Sequence, residues 1–337
     1  MSKLAHDFSS SSGEWRANVG STEESGVKIK TILRLRGQSI RARSRRCDDN
    51  KTRAVLSQTW VYDSCTLPSL VQSLETRQVF LRQAQPILWV GDSLLGQFYC
   101  SFTDLTQLSI EESQYSRSYI LVDPYSLDVV NSTSYNACQK HRETCPRGTN
   151  EYQIFSVPNV TLPSHRSVKD LVWGSLLQEK VFNTLILNVG HHWWKETSSI
   201  SAEFEPGTNA FTKYSRMVEG VARFLMKIKY SGQVLYITSP PGFPNCDEEW
   251  RPNELPATMN NPYHWSKPAR REHLWVDTFK RLASTIRFHV LNITQLSLTR
   301  GDAHPNGDCL HYCQIGVPDE WSRVLLGALN KLHTIVA

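Results

Sequence analysis

The chain has 337 residues, 40% of them hydrophobic, with 10 Trp, 12 Tyr and 12 Phe, which is enough for a packed core in one large domain or two small ones. Its net charge of +5 is confined to one stretch: residues 28–53 hold ten Lys/Arg against two Asp, +8, leaving about −3 (5 − 8) for the rest. That balance argues against a nucleic-acid binder, and the basic stretch reads as a solvated arm. No run of 18 apolar residues occurs and no signal-peptide core opens the chain, so neither a membrane anchor nor a leader is expected in it.

In chain order, residues 1–27 are rich in Ser, Gly, Glu and Asn, and with the basic stretch they predict a disordered arm over 1–53. A single domain is expected over 54–337. Short apolar runs predict strands at 86–90 (PILWV), 118–122 (SYILV), 181–188 (VFNTLILN), 233–238 (QVLYIT) and 287–292 (RFHVLN). Helical patterns fall at 94–103, 167–178, 213–230, 269–286 and 318–333; in the third, Met217, Val221, Phe224, Leu225 and Ile228 recur three or four apart and mark one buried face. Uniformly apolar strands alternating with helices predict an α/β fold, a three-layer α/β/α sandwich around a mostly parallel sheet. The segment 123–165, with its Asn, Ser and Pro, reads as an excursion from that sheet.

Eight cysteines stand at 47, 65, 100, 138, 145, 246, 309 and 313, without a Cys-x-x-Cys pair. Their even number suits disulfides in an oxidising compartment, and their spacing, with that of the histidines, fits no zinc site. Sequons at Asn131, Asn159 and Asn292 agree with a secretory lumen but add little in a chain so rich in Ser and Thr.

In sheets of this kind, sites form beyond the C-terminal strand ends. Three segments qualify: GDS after 86–90, NVGHHWW after 181–188, and TSPPGFPNC after 233–238. Ser93 is either the N-cap of the helix that follows or a nucleophile held on a tight turn. A nucleophile needs a base and the base an orienting acid. In GDAHPNGDCLHYCQ, Asp308 and His311 stand three apart and form a compact acid–base pair; Asp302 and His304 are the rival pair. An oxyanion needs donors, for which the Ser93 N–H and the side-chain amide of Asn188, beside the permissive Gly190, are candidates. His191, His192, Trp193 and Trp194 follow, and the two indoles either stack on a sugar face or pack their loop against the sheet. The segment 260–268 (NNPYHWSKP) adds a second polar-aromatic wall.

Three pieces in this order, Gly-Asp-Ser, a central Asn and a late Asp-x-x-His, resemble the SGNH hydrolase superfamily. More narrowly, WVGDSLLGQFYCSF, LILNVGHHWW and HPNGDCLHYCQIGVPDEWSRVLL are similar to blocks of its PC-esterase branch, which includes trichome birefringence-like polysaccharide O-acetyltransferases and the sialic-acid O-acetyltransferase luminal domain. The departures are Gly96 in place of a frequent Arg, Val189 in place of Thr and Tyr312 in place of Trp. The superfamily's second oxyanion glycine has no clear counterpart; Gly148 stands as its candidate. The resemblance implies a carbohydrate O-acetyltransferase that acylates Ser93, with His311 as general base and acid and Asp308 as its orienter. It implies no bound cofactor, an acetyl donor such as acetyl-CoA as co-substrate, a glycan acceptor, and a Golgi or other secretory setting. An O-acetyl esterase and an inactive glycan-binding relative are the alternatives. The resemblance further implies Cys47–Cys65 and Cys246–Cys309 bridges; nearness in sequence gives Cys138–Cys145, and elimination leaves Cys100–Cys313.

Overall fold

The computed structural model of the protein describes residues 13–17, 58–62, 87–105, 114–118, 152–157, 177–178, 182–188, 209–243, 268–305, 307–314 and 316–334. Eight strands fall within them: β1 Gly13–Ala17, β2 Gln58–Tyr62, β3 Ile87–Gly91, β4 Gln114–Ser118, β5 Tyr152–Val157, β6 Thr184–Asn188, β7 Gln233–Ile237 and β8 Arg287–Leu291. The helices are α1 Ser93–Leu105, α2 Asn209–Lys227, α3 Pro268–Leu282, α4 Thr294–Leu298 and α5 Val317–Thr334.

Six strands form one sheet in the order β4-β5-β3-β6-β7-β8. Four of the five predicted runs, as β3, β6, β7 and β8, pair in parallel. Their side chains alternate between two cores. Leu88, Val90, Leu185, Leu187, Val234 and Tyr236 pack with Met217, Val221 and Phe224 of α2 and with Trp275 and Phe279 of α3. On the opposite face Ile87, Trp89, Ile186, Leu235 and Ile237 pack with Phe98 and Phe102 of α1 and with Trp321, Val324 and Leu325 of α5. Burial on both faces is why β3, β6 and β7 read as continuous apolar runs, and it produces the expected α/β/α layering; β8, at the sheet edge, is only partly buried.

The N-terminal side of the sheet differs from the expectation. Gln114–Ser118 and Tyr152–Val157 pair antiparallel to each other, and β5 pairs antiparallel to β3. The segment 123–165 is therefore not wholly an excursion. Its strand YQIFSV interleaves polar with apolar residues, the pattern of antiparallel pairing rather than of a doubly covered core. The run predicted at 118–122 contributes Ser118 alone to the described residues, and the helix predicted at 167–178 contributes 177–178, which are helical. The arm is not wholly disordered either: Gly13–Ala17 pairs antiparallel with Gln58–Tyr62, so a boundary at residue 53 separates two paired strands. Among the described residues no helix is long and apolar enough to cross a membrane.

Candidate active site

β3 ends at Gly91, in register with Asn188 at the end of β6. The two backbones come so close that a Cβ on Gly91 would stand 2.4 Å from the Asn188 carbonyl oxygen and 2.5 Å from Leu95 Cδ2. Only glycine permits that approach. Asp92 follows, its N–H donating to the Asn188 carbonyl at 3.3 Å. Its carboxylate accepts from the Leu94 N–H at 3.1 Å, and its carbonyl accepts from the Gly96 N–H at 3.0 Å. Asp92 is thus the N-cap of α1, and Ser93 is the first helical residue. The two readings of Ser93 separate here. The cap belongs to its neighbour, and the half-buried Ser93 hydroxyl is left for other work.

That hydroxyl meets His311, whose Nε2 lies 2.8 Å from Ser93 Oγ. The other ring nitrogen, Nδ1, is 2.8 Å and 3.0 Å from the two carboxylate oxygens of Asp308. With the carboxylate accepting, Nδ1 carries the proton and Nε2 presents a lone pair to the serine. Asp308 Oδ1 also accepts from the backbone N–H groups of Leu310 (3.2 Å) and His311 (3.1 Å). Burial alone would raise the Asp308 carboxyl; the hydrogen bond and charge of His311 and the two backbone donors outweigh it and hold the group well below the usual carboxylate range. Near neutral pH it is therefore ionised.

The rival pair is not built for this. Asp302 binds Arg300 through both oxygens, at 2.7 and 2.8 Å. His304 is fully buried, with its Nδ1 2.7 Å from the His311 carbonyl oxygen and its ring 4.2 Å from that of Tyr312. Both residues support the loop rather than face Ser93.

Asn188 also departs from the expectation. It is 1% exposed, and its amide nitrogen donates to the Ile237 carbonyl at 2.9 Å and lies 3.3 Å from that of Thr238. The amide ties the ends of β6 and β7 together, which corrects its reading as an oxyanion donor. Among the described residues the candidate donor that remains beside Ser93 Oγ is the Ser93 N–H, in the first turn of α1, where amides have no intrahelical acceptor and the helix dipole favours negative charge. Gly148, His191, His192, Trp193, Trp194 and the segment 260–267 lie outside the described residues.

Cys309 and Cys313, on either side of His311, are each disulfide-bonded, whereas Cys100 keeps its thiol. The Cys100–Cys313 pairing reached by elimination is therefore corrected. Tyr312, the departure from Trp, is fully buried and donates its hydroxyl to the Pro241 carbonyl at 2.9 Å, tying the loop after β7 to the Asp308–His311 loop. Burial pushes that phenol well above its ordinary value, so it remains a neutral donor.

Residues 78–328 match the PC-esterase family model, described as a GDSL/SGNH-like acyl-esterase family found in Pmr5 and Cas1p. The chain belongs to the PC-esterase family. Among its relatives, trichome birefringence-like 31 of Arabidopsis thaliana is 24% identical over 315 residues, 81% of this chain and 72% of that protein. The probable xylan O-acetyltransferase 10 of Oryza sativa subsp. japonica is 24% identical over 80% of this chain and 67% of its own length. Xyloglucan O-acetyltransferase 1 of Arabidopsis thaliana is 26% identical over 47% of this chain and 44% of its own. The protein is thus an enzyme of the acyl-transferring, SGNH-type class.

Proposed function

We propose that the protein transfers an acetyl group to a hydroxyl of a carbohydrate through an acetyl-Ser93 intermediate, in the lumen of the secretory pathway. The observation that carries the reading is the unbroken line from Asp308 through His311 to Ser93 at the N-terminus of α1. Ser93 Oγ attacks the carbonyl carbon of an acetyl donor, an ester or thioester, while its proton moves to His311 Nε2. The oxyanion that forms lies at the first turn of α1, where the Ser93 N–H and the helix dipole favour it. His311 returns the proton to the leaving oxygen or sulfur, leaving acetyl-Ser93. A sugar hydroxyl then attacks this ester, giving its proton to Nε2, and Ser93 departs as the restored hydroxyl. Asp308 keeps His311 in the required tautomer throughout. No metal enters this sequence.

A carbohydrate acceptor is supported by the relatives named for xylan and xyloglucan O-acetylation. A held sugar hydroxyl competes with water at about 55 M because a well-oriented group reaches a far higher effective molarity. The segment 190–196 (GHHWWKE), with Trp193 and Trp194, is the proposed acceptor wall. The test supplies an acetyl donor with and without xylan and xyloglucan oligosaccharides and follows acetate release and glycan mass. Gain of one acetyl by a glycan, with suppressed acetate release, is the expected result. Acetate release unaffected by every acceptor, without mass gain, replaces the transferase by an esterase.

A further inference from the structure

α1 carries, four residues after Ser93, a single amide in an otherwise apolar run, SLLGQF. Residues four apart lie on the same helix face, one turn along. Ser93 and Gln97 therefore face the same loop, and what they meet there is consecutive: Ser93 meets the side chain of His311, and Gln97 meets the peptide groups of Tyr312. The Gln97 Nε2–H donates to the Tyr312 carbonyl, and Gln97 Oε1 accepts from the Tyr312 N–H at 3.1 Å. One planar amide thus saturates both backbone groups of the residue after His311. Gln97 is 4% exposed and Tyr312 fully buried, so water does not replace either bond.

The loop has one further described tie to α1, the Gln314 Nε2–H donating to the Gln97 carbonyl at 3.4 Å, a longer bond than either made by the Gln97 side chain. On its other side the His311 carbonyl is held by His304 Nδ1 at 2.7 Å, and the Cys313 N–H donates to the Ala303 carbonyl. Those bonds fix the loop to residues 303–304, and the Phe243 N–H on the Cys309 carbonyl and the Tyr312 hydroxyl on the Pro241 carbonyl fix it to the segment after β7. The Gln97 pair fixes it to the helix that carries the nucleophile. A second contact joins α1 to α5: Ser101 Oγ donates to Asp319 Oδ1 at 2.5 Å, and Ser322 Oγ lies 3.1 Å from Ser101 Oγ and 2.9 Å from the Pro318 carbonyl, sharing its one proton between them. That contact holds helix on helix; the Asp319 carboxylate also accepts from the Gly316 N–H at 2.8 Å, at the far end of the His311 loop, and neither bond touches a backbone group of residues 311–313.

We infer that Gln97 is a positioning residue for the acyl transfer: its two bonds to the Tyr312 backbone set the distance between Ser93 Oγ and His311 Nε2. The inference rests on the acyl-serine reading above. Without the clamp the loop keeps its internal bonds but drifts relative to α1, and a drift of about 1 Å lowers turnover on the order of 10²-fold. Substrate binding is untouched, because Gln97 is buried beneath the site.

The test uses the full chain with p-nitrophenyl acetate as acetyl donor and a fluorophosphonate as serine probe. Three variants are compared with wild type: Gln97→Met, which keeps length and loses both bonds; Gln97→Glu, which keeps the acceptor for the Tyr312 N–H; and Ser322→Ala, which loosens the helix contact alone. The expected result for Gln97→Met is a kcat lower by about 10²-fold with KM within about twofold, and fluorophosphonate labelling slowed in parallel. Gln97→Glu falls between it and wild type. Ser322→Ala lowers Tm while kcat is retained. A folded Gln97→Met or Gln97→Glu protein that labels and turns over at the wild-type rate overturns the inference. So does Ser322→Ala losing as much kcat as Gln97→Met at equal loss of Tm, which reduces Gln97 to packing. A wild-type chain that does not label brings down the acyl-serine reading itself, and the inference with it.

Discussion

Gly91 and Asn188 stand opposite each other at the ends of β3 and β6, closer than any side chain on Gly91 would permit. The Asp92 N–H bonds the same Asn188 carbonyl, so this contact sets where α1 begins and where Ser93 points. Gly91→Ala would place Cβ 2.4 Å from that carbonyl oxygen and 2.7 Å from Leu95 Cβ, neither of which is the far end of a flexible side chain. The substitution is expected to cost at least the roughly 3 kcal/mol at the upper end of overpacking, measured by denaturant unfolding. The folded remainder should turn over slowly, because relief of the clash moves Ser93.

In the proposed mechanism Ser93 and His311 act on the same proton, so their losses should not add. Ser93→Ala and His311→Ala are each expected to lower kcat by at least about 10³-fold, and the double variant to be little worse than either. Steady-state kinetics on the three proteins measure this; strictly additive losses would speak against a shared covalent step.

Asp308 makes a pH-dependent contribution of known sign. Its carboxyl is held below the unfolded value of about 3.9, so the stabilisation is present above that pH and fades as pH falls further. The side chain is 37% exposed, so solvent screening keeps the contribution modest. Unfolding free energies of wild type and Asp308→Asn should differ at pH 6 and converge toward pH 2. Turnover is affected far more: loss of the anion that fixes the His311 tautomer is expected to lower kcat by about 10³-fold or more.

Arg300 is fully buried and Asp302 holds its guanidinium through both oxygens. Asp302→Asn should destabilise the fold by about 3 kcal/mol, since removing one partner leaves a buried charge. The kcat of the folded fraction is expected to stay near wild type. A loss equal to that of His311→Ala, measured below the variant's Tm, would return Asp302 and His304 to the role of acid–base pair.

Much of this arrangement was legible in the sequence because it lies in short contiguous segments. A uniformly apolar run that stops at Gly-Asp-Ser announces a doubly covered strand and the turn at its end. Asp308 and His311 are three apart, so their pairing needs only a local turn. The identity of the helix cap was not legible, since Asp92 and Ser93 are both good caps and only the backbone geometry chooses between them. Nor was the direction of the Asn188 amide, which depends on carbonyls of β7 and its end, 49 and 50 residues away. Gln97 left a signal, one amide on the face of Ser93 in an apolar helix, but its partner 215 residues on could be found only by folding the chain. Strand β5 was missed because YQIFSV mixes polar with apolar residues inside a segment dense in turn formers.

The central claim is that Ser93 carries the acetyl group. The most direct measurement is peptide mass spectrometry of the full chain, incubated with an acetyl donor without acceptor and quenched in acid. The account predicts one acetyl on the peptide containing Ser93, absent from Ser93→Ala, and discharged when an acceptor oligosaccharide is added before the quench. A Ser93→Ala protein that acetylates the oligosaccharide as fast as wild type would contradict it.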